Sequence, residues 1–440
     1  QSGAIRDLTA NASAAGPPST LWVVPAAGGP PNQITTAGIP AGGHGSPSWS
    51  PDGSRIVFTS NDYSDSDVWS VAAGGGQVQS ITPARLRCYE PIYSRDGRSI
   101  YYSTEGAGLL EQAVSSTTGA SAGEPVQIIS PGTTGIRHLA LSANGKRLLY
   151  SAVSVQSNLW SMPLSAASGS PTGSPHPLTQ NSNYRNTSPV FSPDGRKIAF
   201  NTWRRAAMPE IWLMDQDGSN QVQLMADTPS HNLVGWFQDV DHLAFSGVQG
   251  GRWGIQGLTL GAGRETQLVV LPPNAGFFVR IAPDGHAVAY HTVGDGAMNI
   301  WIDEIPSGQL RQLTFDDQSM AFPCWSPDSK FIALQMTRGE DTNICAVPSS
   351  GGTPIQLTHD RGLSWAYSWS PDGDKIAFAG TRNGVWNIYW VSRGTGEQHQ
   401  VTAYSKTNAY VRYPAWSPLG DQITYEYAET TGNIWMAEFR

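Results

Sequence analysis

Short runs in which apolar and polar residues alternate follow one another along the chain, each ended by a cluster of Gly, Pro, Asn, Asp or Ser. The stretch 322–358 shows the pattern. Pro323-Cys324-Trp325 is followed by Phe331-Ile332-Ala333-Leu334, then Asn343-Ile344-Cys345-Ala346-Val347, then Pro354-Ile355-Gln356-Leu357-Thr358. A period of two predicts half-buried strands, four in this unit. Apolar residues at three- and four-residue spacing are missing over any long stretch, so no amphipathic helix is predicted.

Between the first and second strands stands a polar turn that recurs nine times. Its best copies are Ser50-Pro51-Asp52-Gly53, Ser192-Pro193-Asp194-Gly195 and Ser370-Pro371-Asp372-Gly373. Near-copies begin at Ser94, Ala282 and Ser326, and decayed ones lie at Ser142, Gln238 and Ser417. Proline presets φ at the second position, Asp hydrogen-bonds the local backbone, and Gly supplies the positive φ that closes the hairpin. The copies are spaced about 46 residues apart, a period that signals repeat architectures. Four short strands per repeat predict propeller blades.

Aromatic residues recur with the repeat. Trp49, Trp325, Trp369 and Trp416 take the first strand; Trp22, Trp69, Trp160, Trp212, Trp301 and Trp435 take the third. A flat blade cannot bury both faces alone, so these rings are predicted to fill the space between neighbouring blades.

The expected fold is all-β, a single domain over residues 1–440. Within it, 1–20 is an irregular segment with a partial repeat, and 21–440 is the repeat array. Nine blades are expected, with eight as the alternative. The last hairpin is followed by a third strand at 433–439 and no fourth. The fourth strand at Gln33-Ile34-Thr35 has no hairpin before it, so one blade shared between the termini would close the ring and remove free edges.

These repeats resemble the TolB-type propeller family, a WD40-like group whose repeat reads roughly SPxWSPDGxxIAFxS, then xIWxM, then GGxxxQLT. Ser46 to Ser60, Ser188 to Asn201 and Tyr367 to Gly380 carry the first part. Asn299-Ile300-Trp301, Gly351-Gly352 and Gln356-Leu357-Thr358 carry the rest. The resemblance covers about residues 21 to 440 and departs most at 138–151 and 234–246. It implies the fold more strongly than the job, because such propellers serve in binding proteins, in sensors and beside hydrolases.

Composition narrows the classes. With 27 Lys and Arg against 35 Asp and Glu, the net charge is −8. No basic cluster offers a nucleic-acid footprint, and no apolar run approaches the ~20 residues of a membrane span. Cys88, Cys324 and Cys345 are odd in number, and the last two take apolar strand positions, as free core thiols do. The wealth of Trp, Gly, Ser, Thr and Gln suits a periplasmic or secreted protein, as the resemblance also implies.

Candidate chemistry is sparse. Gly119-Ala120-Ser121-Ala122-Gly123 matches G-x-S-x-G but lacks the flanking strand and helix of a nucleophile elbow. The nine His residues show no paired ligand spacing. Asp62, Asp65 and Asp67 make a calcium candidate without the glycine and distal glutamate of an EF-hand loop; otherwise no metal or cofactor is expected. Loops before each first strand should ring one mouth of the central channel. They bring His44, Glu90, Arg137, His138, Arg185, His231, Arg280, Trp365, Tyr367, Arg412 and Tyr413. Arg and aromatic residues of this kind are enriched at binding hot spots. The expected function is a non-catalytic binding or scaffold propeller for a peptide, protein, carbohydrate or small anionic ligand. The alternatives are the propeller portion of a larger hydrolase or peptidase, or a propeller enzyme that degrades polysaccharide.

Overall fold

The computed structural model describes residues 19–439 except 63–64, 83–86, 105–107, 116, 131–134, 181–183, 206–207, 226–231, 238, 250–251, 262–264, 273, 277, 293–296 and 306. Its named elements are all strands. Each of the nine predicted turns joins an antiparallel hairpin, as its side-chain chemistry requires. Ser50 Oγ donates to Asp52 Oδ1 at 2.6 Å, and Asp52 Oδ1 accepts the Ser54 N–H at 3.0 Å. The Arg55 N–H then donates to Ser50 Oγ at 2.9 Å. The same arrangement recurs at Ser192 with Asp194 and at Ser326 with Asp328. Gly53 and Gly195, with φ of 70° and 73°, close their turns in the left-handed region that suits glycine.

The described residues fall into two compact units, 156–429 and 19–155 with 430–439. Two long strands, Arg147–Pro163 and Gln422–Glu438, contribute to both.

Residues 156–429 build six four-stranded blades. Five are continuous in sequence, with first strands Arg185–Phe191, Asn232–Trp236, Arg280–Ile281, Met320–Trp325 and Ser364–Trp369. The sixth starts with the hairpin of Ala409–Trp416 and residues 422–429. It takes its third and fourth strands from residues 156–163 and from His176–Pro177. Each first strand packs on the next, and Ala409–Trp416 packs on Arg185–Phe191, which closes the ring.

The blades are held face to face by apolar layers. One layer joins Cys324, Ala333, Ile344 and Leu357 to Trp369, Ile376, Phe378 and Val391 of the following blade. Tryptophans of the first strand fill these layers and also reach back one repeat. Trp236 Nε1 donates to the Val190 carbonyl at 3.2 Å, Trp325 Nε1 to Arg280 at 3.1 Å and Trp369 Nε1 to Cys324 at 3.0 Å. Each such ring brings apolar area and satisfies its own N–H.

The other unit holds two four-stranded blades, beginning at Gly43–Trp49 and Cys88–Tyr93. A third sheet combines Gly135–Leu141, residues 147–155 and residues 430–438. Trp22–Val23 and Asn32–Gln33 pair with one another, and Leu21 and Ile34 pack on Ile56, Phe58 and Val71. The last hairpin is thus completed from 156–177, where the sequence pointed to residues 33–35. The third-strand sequences explain this. Asn158-Leu159-Trp160 and Asn433-Ile434-Trp435 are near-equivalent, so each can serve either hairpin, and each long strand runs straight on instead of turning back. Trp22, Trp49 and Trp435 are at least half exposed, unlike the tryptophans of the six-bladed ring named above.

Candidate functional site

Every first strand but one carries a register shift at the same place, for example between Thr187 and Val190, Ala321 and Cys324, and Arg412 and Ala415. The exception among the described residues, Arg280–Ile281, is only two residues long. Such bulges leave one residue unpaired and re-aim its side chain. At that residue Ser188, Phe322 and Tyr413 have φ of 53°, 55° and 55°, and in the other unit Ser46, Glu90 and His138 have 47°, 49° and 54°. A non-glycine residue held there is strained by about 1–2 kcal/mol, and such strain concentrates at sites with a task.

In the six-bladed unit the bulges gather aromatic rings. Phe278 and Phe322 meet edge to face at 4.5 Å between centroids, and Tyr367 and Tyr413 at 4.7 Å. Phe278 and Tyr413 lie 6.4 Å apart although their blades are third and sixth in the ring, on opposite sides of the axis. The channel is therefore spanned by aromatic side chains at this level. A narrow cleft remains among Phe278, Arg280, Phe322, Pro323, Cys324 and Tyr367.

Three arginines surround these rings in different electrostatic states. Arg185 forms a two-point ion pair with Glu426, at 2.7 and 3.2 Å. Glu426 is fully buried and also accepts from Ser157 Oγ at 2.6 Å and Thr187 Oγ1 at 3.0 Å. Burial disfavours the Arg185 charge, but the Glu426 carboxylate outweighs this and raises its pKa well above the usual value. Arg412 is buried, with its guanidinium 4.3 Å from the Tyr410 centroid and 5.2 Å from that of Trp365. Trp365 in turn lies 4.7 Å from Trp386. Arg280 is half-buried, donates to the Val279 carbonyl at 3.1 Å and sits 5.0 Å over the Tyr367 ring. No carboxylate pairs with it among the described residues. The Tyr367 hydroxyl is buried against Arg280 and Ser188 without a well-formed hydrogen bond, and burial pushes its pKa well up.

The remaining candidates are placed differently. His44, Glu90, Arg137 and His138 belong to the unit of 19–155. His44 is buried with both nitrogens committed: Nδ1 lies 2.8 Å from Thr35 Oγ1 and Nε2 3.0 Å from the Pro40 carbonyl. It ties the segment that follows the Asn32–Gln33 strand to the first full blade. Glu90 accepts the His138 backbone N–H, and Arg137 stacks 3.9 Å over Tyr89. His138 Nδ1 lies 2.9 Å from Ser151 Oγ. His231 lies outside the described residues, as do the side chains of Asp62 and Asp65, whose backbones pair at the hairpin end. The three cysteines are buried, and burial pushes their thiols up to about 12, so they hold little thiolate near neutrality.

Glu426 and Ser188 were not among the candidates. Glu426 stands in a second strand, and nothing in its spacing shows that it faces Arg185 across the ring closure. Ser188 was readable in principle, because it occupies the residue before the repeat's proline that Phe322 and Tyr413 also occupy.

Comparison with known proteins agrees with this architecture. Residues 278–439 match the TolB beta propeller domain family. A putative TolB from Agrobacterium tumefaciens superposes with a TM-score of 0.51 at 19% identity, covering 63% of this chain and 99% of that one. TolB from Acinetobacter baumannii gives 0.48 at 16% identity, covering 74% and 82%. An uncharacterized protein of Agrobacterium fabrum is 30% identical over 93 residues, which are 21% of this chain and 30% of that protein. The chain thus spans under a third of that relative's length.

Proposed function

We propose that this TolB-type β-propeller chain is a non-catalytic binding protein, and that it recognises a partner through the first-strand ring of its six-bladed unit. The partner chemistry is a carboxylate or similar anion beside a flat apolar group, as in a peptide end or an acidic sugar. One observation carries the reading. Arg280 is held on Tyr367 without a carboxylate partner among the described residues, next to Phe278 and Phe322. A half-buried guanidinium so placed gains by pairing with an incoming anion, and aromatic faces beside it supply rigid contact area. Arg185 is assigned a structural role, since Glu426 already neutralises it. Strained bulges and three inert thiols fit a surface shaped for contact rather than for covalent chemistry. A periplasmic or secreted location accords with the composition; among the described residues no helix is long and apolar enough to cross a membrane.

The test is calorimetric titration with two probe sets, short free-carboxylate peptides and uronate oligosaccharides. Arg280→Gln should weaken whichever set binds by about tenfold or more, as loss of a charge-assisted contact does. Phe322→Ala should weaken it as well, and Arg137→Ala should not. Binding that survives Arg280→Gln unchanged places the site elsewhere.

A further inference from the structure

Several first strands end on a tryptophan just before the turn. Trp236, Trp325 and Trp369 are buried there, and each donates its ring N–H to a carbonyl of the preceding repeat. In the unit of residues 19–155 the same register position belongs to Tyr93, which pairs with Ile100 as Trp325 pairs with Ile332. Its ring is smaller, and its hydroxyl does not make the equivalent bond. Tyr93 is 7% exposed, and its Oη is buried with no hydrogen-bond partner among the described residues. A buried hydroxyl in that state has given up water without compensation.

Tyr93 lines a cavity of about 90 Å³ between the blades that begin at Gly43–Trp49 and Cys88–Tyr93. That is well above the ~10–15 Å³ needed for one water. Two carboxylates from successive turns, Asp52 and Asp96, line it as well. Asp96 Oδ1 accepts from Ser94 Oγ at 2.7 Å and from the Arg98 N–H at 3.1 Å, as Asp52 Oδ1 does from Ser50 and Ser54. The outer oxygens are less committed. Asp52 Oδ2 accepts only the Ser54 hydroxyl, at 2.8 Å, and Asp96 Oδ2 accepts nothing from a described residue. The serine bonds hold both carboxyls below the usual carboxylate range, so both are charged near neutrality. One cation, Arg55, shares the lining. Its Nε donates to Ser70 Oγ at 2.9 Å, and its guanidinium rests on Gly119, where a Cβ would lie 2.0 Å from Nε. Two carboxylates and one guanidinium give the lining a net charge of about −1.

We propose that this cavity is a binding site for a small primary ammonium group. Such a group carries three N–H donors on one positive charge. The cavity offers it Tyr93 Oη and the outer oxygens of Asp52 and Asp96, and bonds from a cation to a carboxylate are the strong ones. A hard metal ion fits less well, because calcium takes six to eight oxygens and no cluster of three or more metal-ligating side chains occurs among the described residues. Arg55 separates two sources of the ammonium. A free amino acid brings a carboxylate that the guanidinium can hold, whereas a simple amine or a lysine side chain brings none.

NMR titration of the full-length chain, carrying ¹³C in its tyrosine rings, tests this at constant ionic strength. The Tyr93 signal is the one that Tyr93→Phe removes. Methylammonium should shift it saturably, and tetramethylammonium, which has the charge without the N–H groups, should not. Tighter binding of glycine than of methylammonium supports an amino acid as the source, and equal or weaker binding supports an amine. Asp96→Asn should weaken methylammonium by about tenfold or more. That variant keeps the turn, because Asn144 makes the same two bonds in the next repeat, and Phe191 holds the register position of Tyr93 in another. The absence of a saturable shift with methylammonium overturns the proposal, as does equal binding of tetramethylammonium. Methylammonium binding that Asp96→Asn leaves unchanged overturns it too, and so does a shift produced by calcium chloride alone.

Discussion

Arg185 and Glu426 show how one residue's surroundings decide between binding and structure. Both were drawn into the ring by the fold, but the carboxylate is fully buried and has no outlet except Arg185, Ser157 and Thr187. Removing one partner of such a pair leaves a buried charge uncompensated. Arg185→Ala should therefore cost about 3 kcal/mol in chemical denaturation, and adding Glu426→Gln should recover much of it. A loss below about 0.5 kcal/mol, the range of an ordinary surface change, would contradict the structural assignment. The turn carboxylates act through pH. Hydrogen bonds from Ser50, Ser94, Ser192 and Ser326 lower the pKa of Asp52, Asp96, Asp194 and Asp328, Asp52 to about 2. Each folded pKa lies below its unfolded value, so the stabilisation is complete above about pH 4 and fades as pH falls towards 2. His291, pushed down to about 4 by burial, is held neutral in the fold and adds a loss that begins near pH 6.5. The melting temperature should accordingly fall in two stages on acidification, and His291→Leu should remove the upper one.

Within a blade, the strands and turns were legible because each rests on local chemistry. Proline, aspartate and glycine at fixed turn positions specify a hairpin whatever surrounds it, and alternation assigns the buried face. The bulge was not legible. It shows only as a proline after residues as unlike as Ser188, Phe322 and Tyr413, and its left-handed φ is imposed by pairing with the second strand. The site suffered most from this, since the bulge decides which side chains reach the axis. Arg280, Tyr367 and Tyr413 were identified as ring residues, but that rings from opposite blades meet was a matter of three-dimensional closure. A fourth-strand threonine gives an element-scale prediction, because Thr358 Oγ1 accepts the Ile344 N–H at 2.9 Å. Thr358→Val keeps the shape but leaves the buried Ile344 N–H without an acceptor. It should cost about 1–3 kcal/mol, whereas Ile355→Thr on the exposed edge of the same strand should change stability by less than about 0.5 kcal/mol. Equal effects in urea titrations would show that this hydrogen bond carries no weight.

On the scale of the molecule, the repeat count was readable and the closure was not. Nine turns announce nine hairpins, and all nine form. Which third strand completes which hairpin depends on a choice between two near-identical segments, 158–160 and 433–435, and no local signal separates them. The structure resolves that choice by giving 156–163 to the hairpin of 409–429, so that six blades close on themselves and carry the Arg280 site. This closure is the central claim, and thermal unfolding of residues 156–429 expressed alone tests it most directly. The account predicts a cooperative β-rich fold whose melting point drops sharply in Arg185→Ala, because Arg185 and Glu426 sit on the two sides of the closing contact. A fragment that is unfolded, or one indifferent to Arg185→Ala, would contradict it.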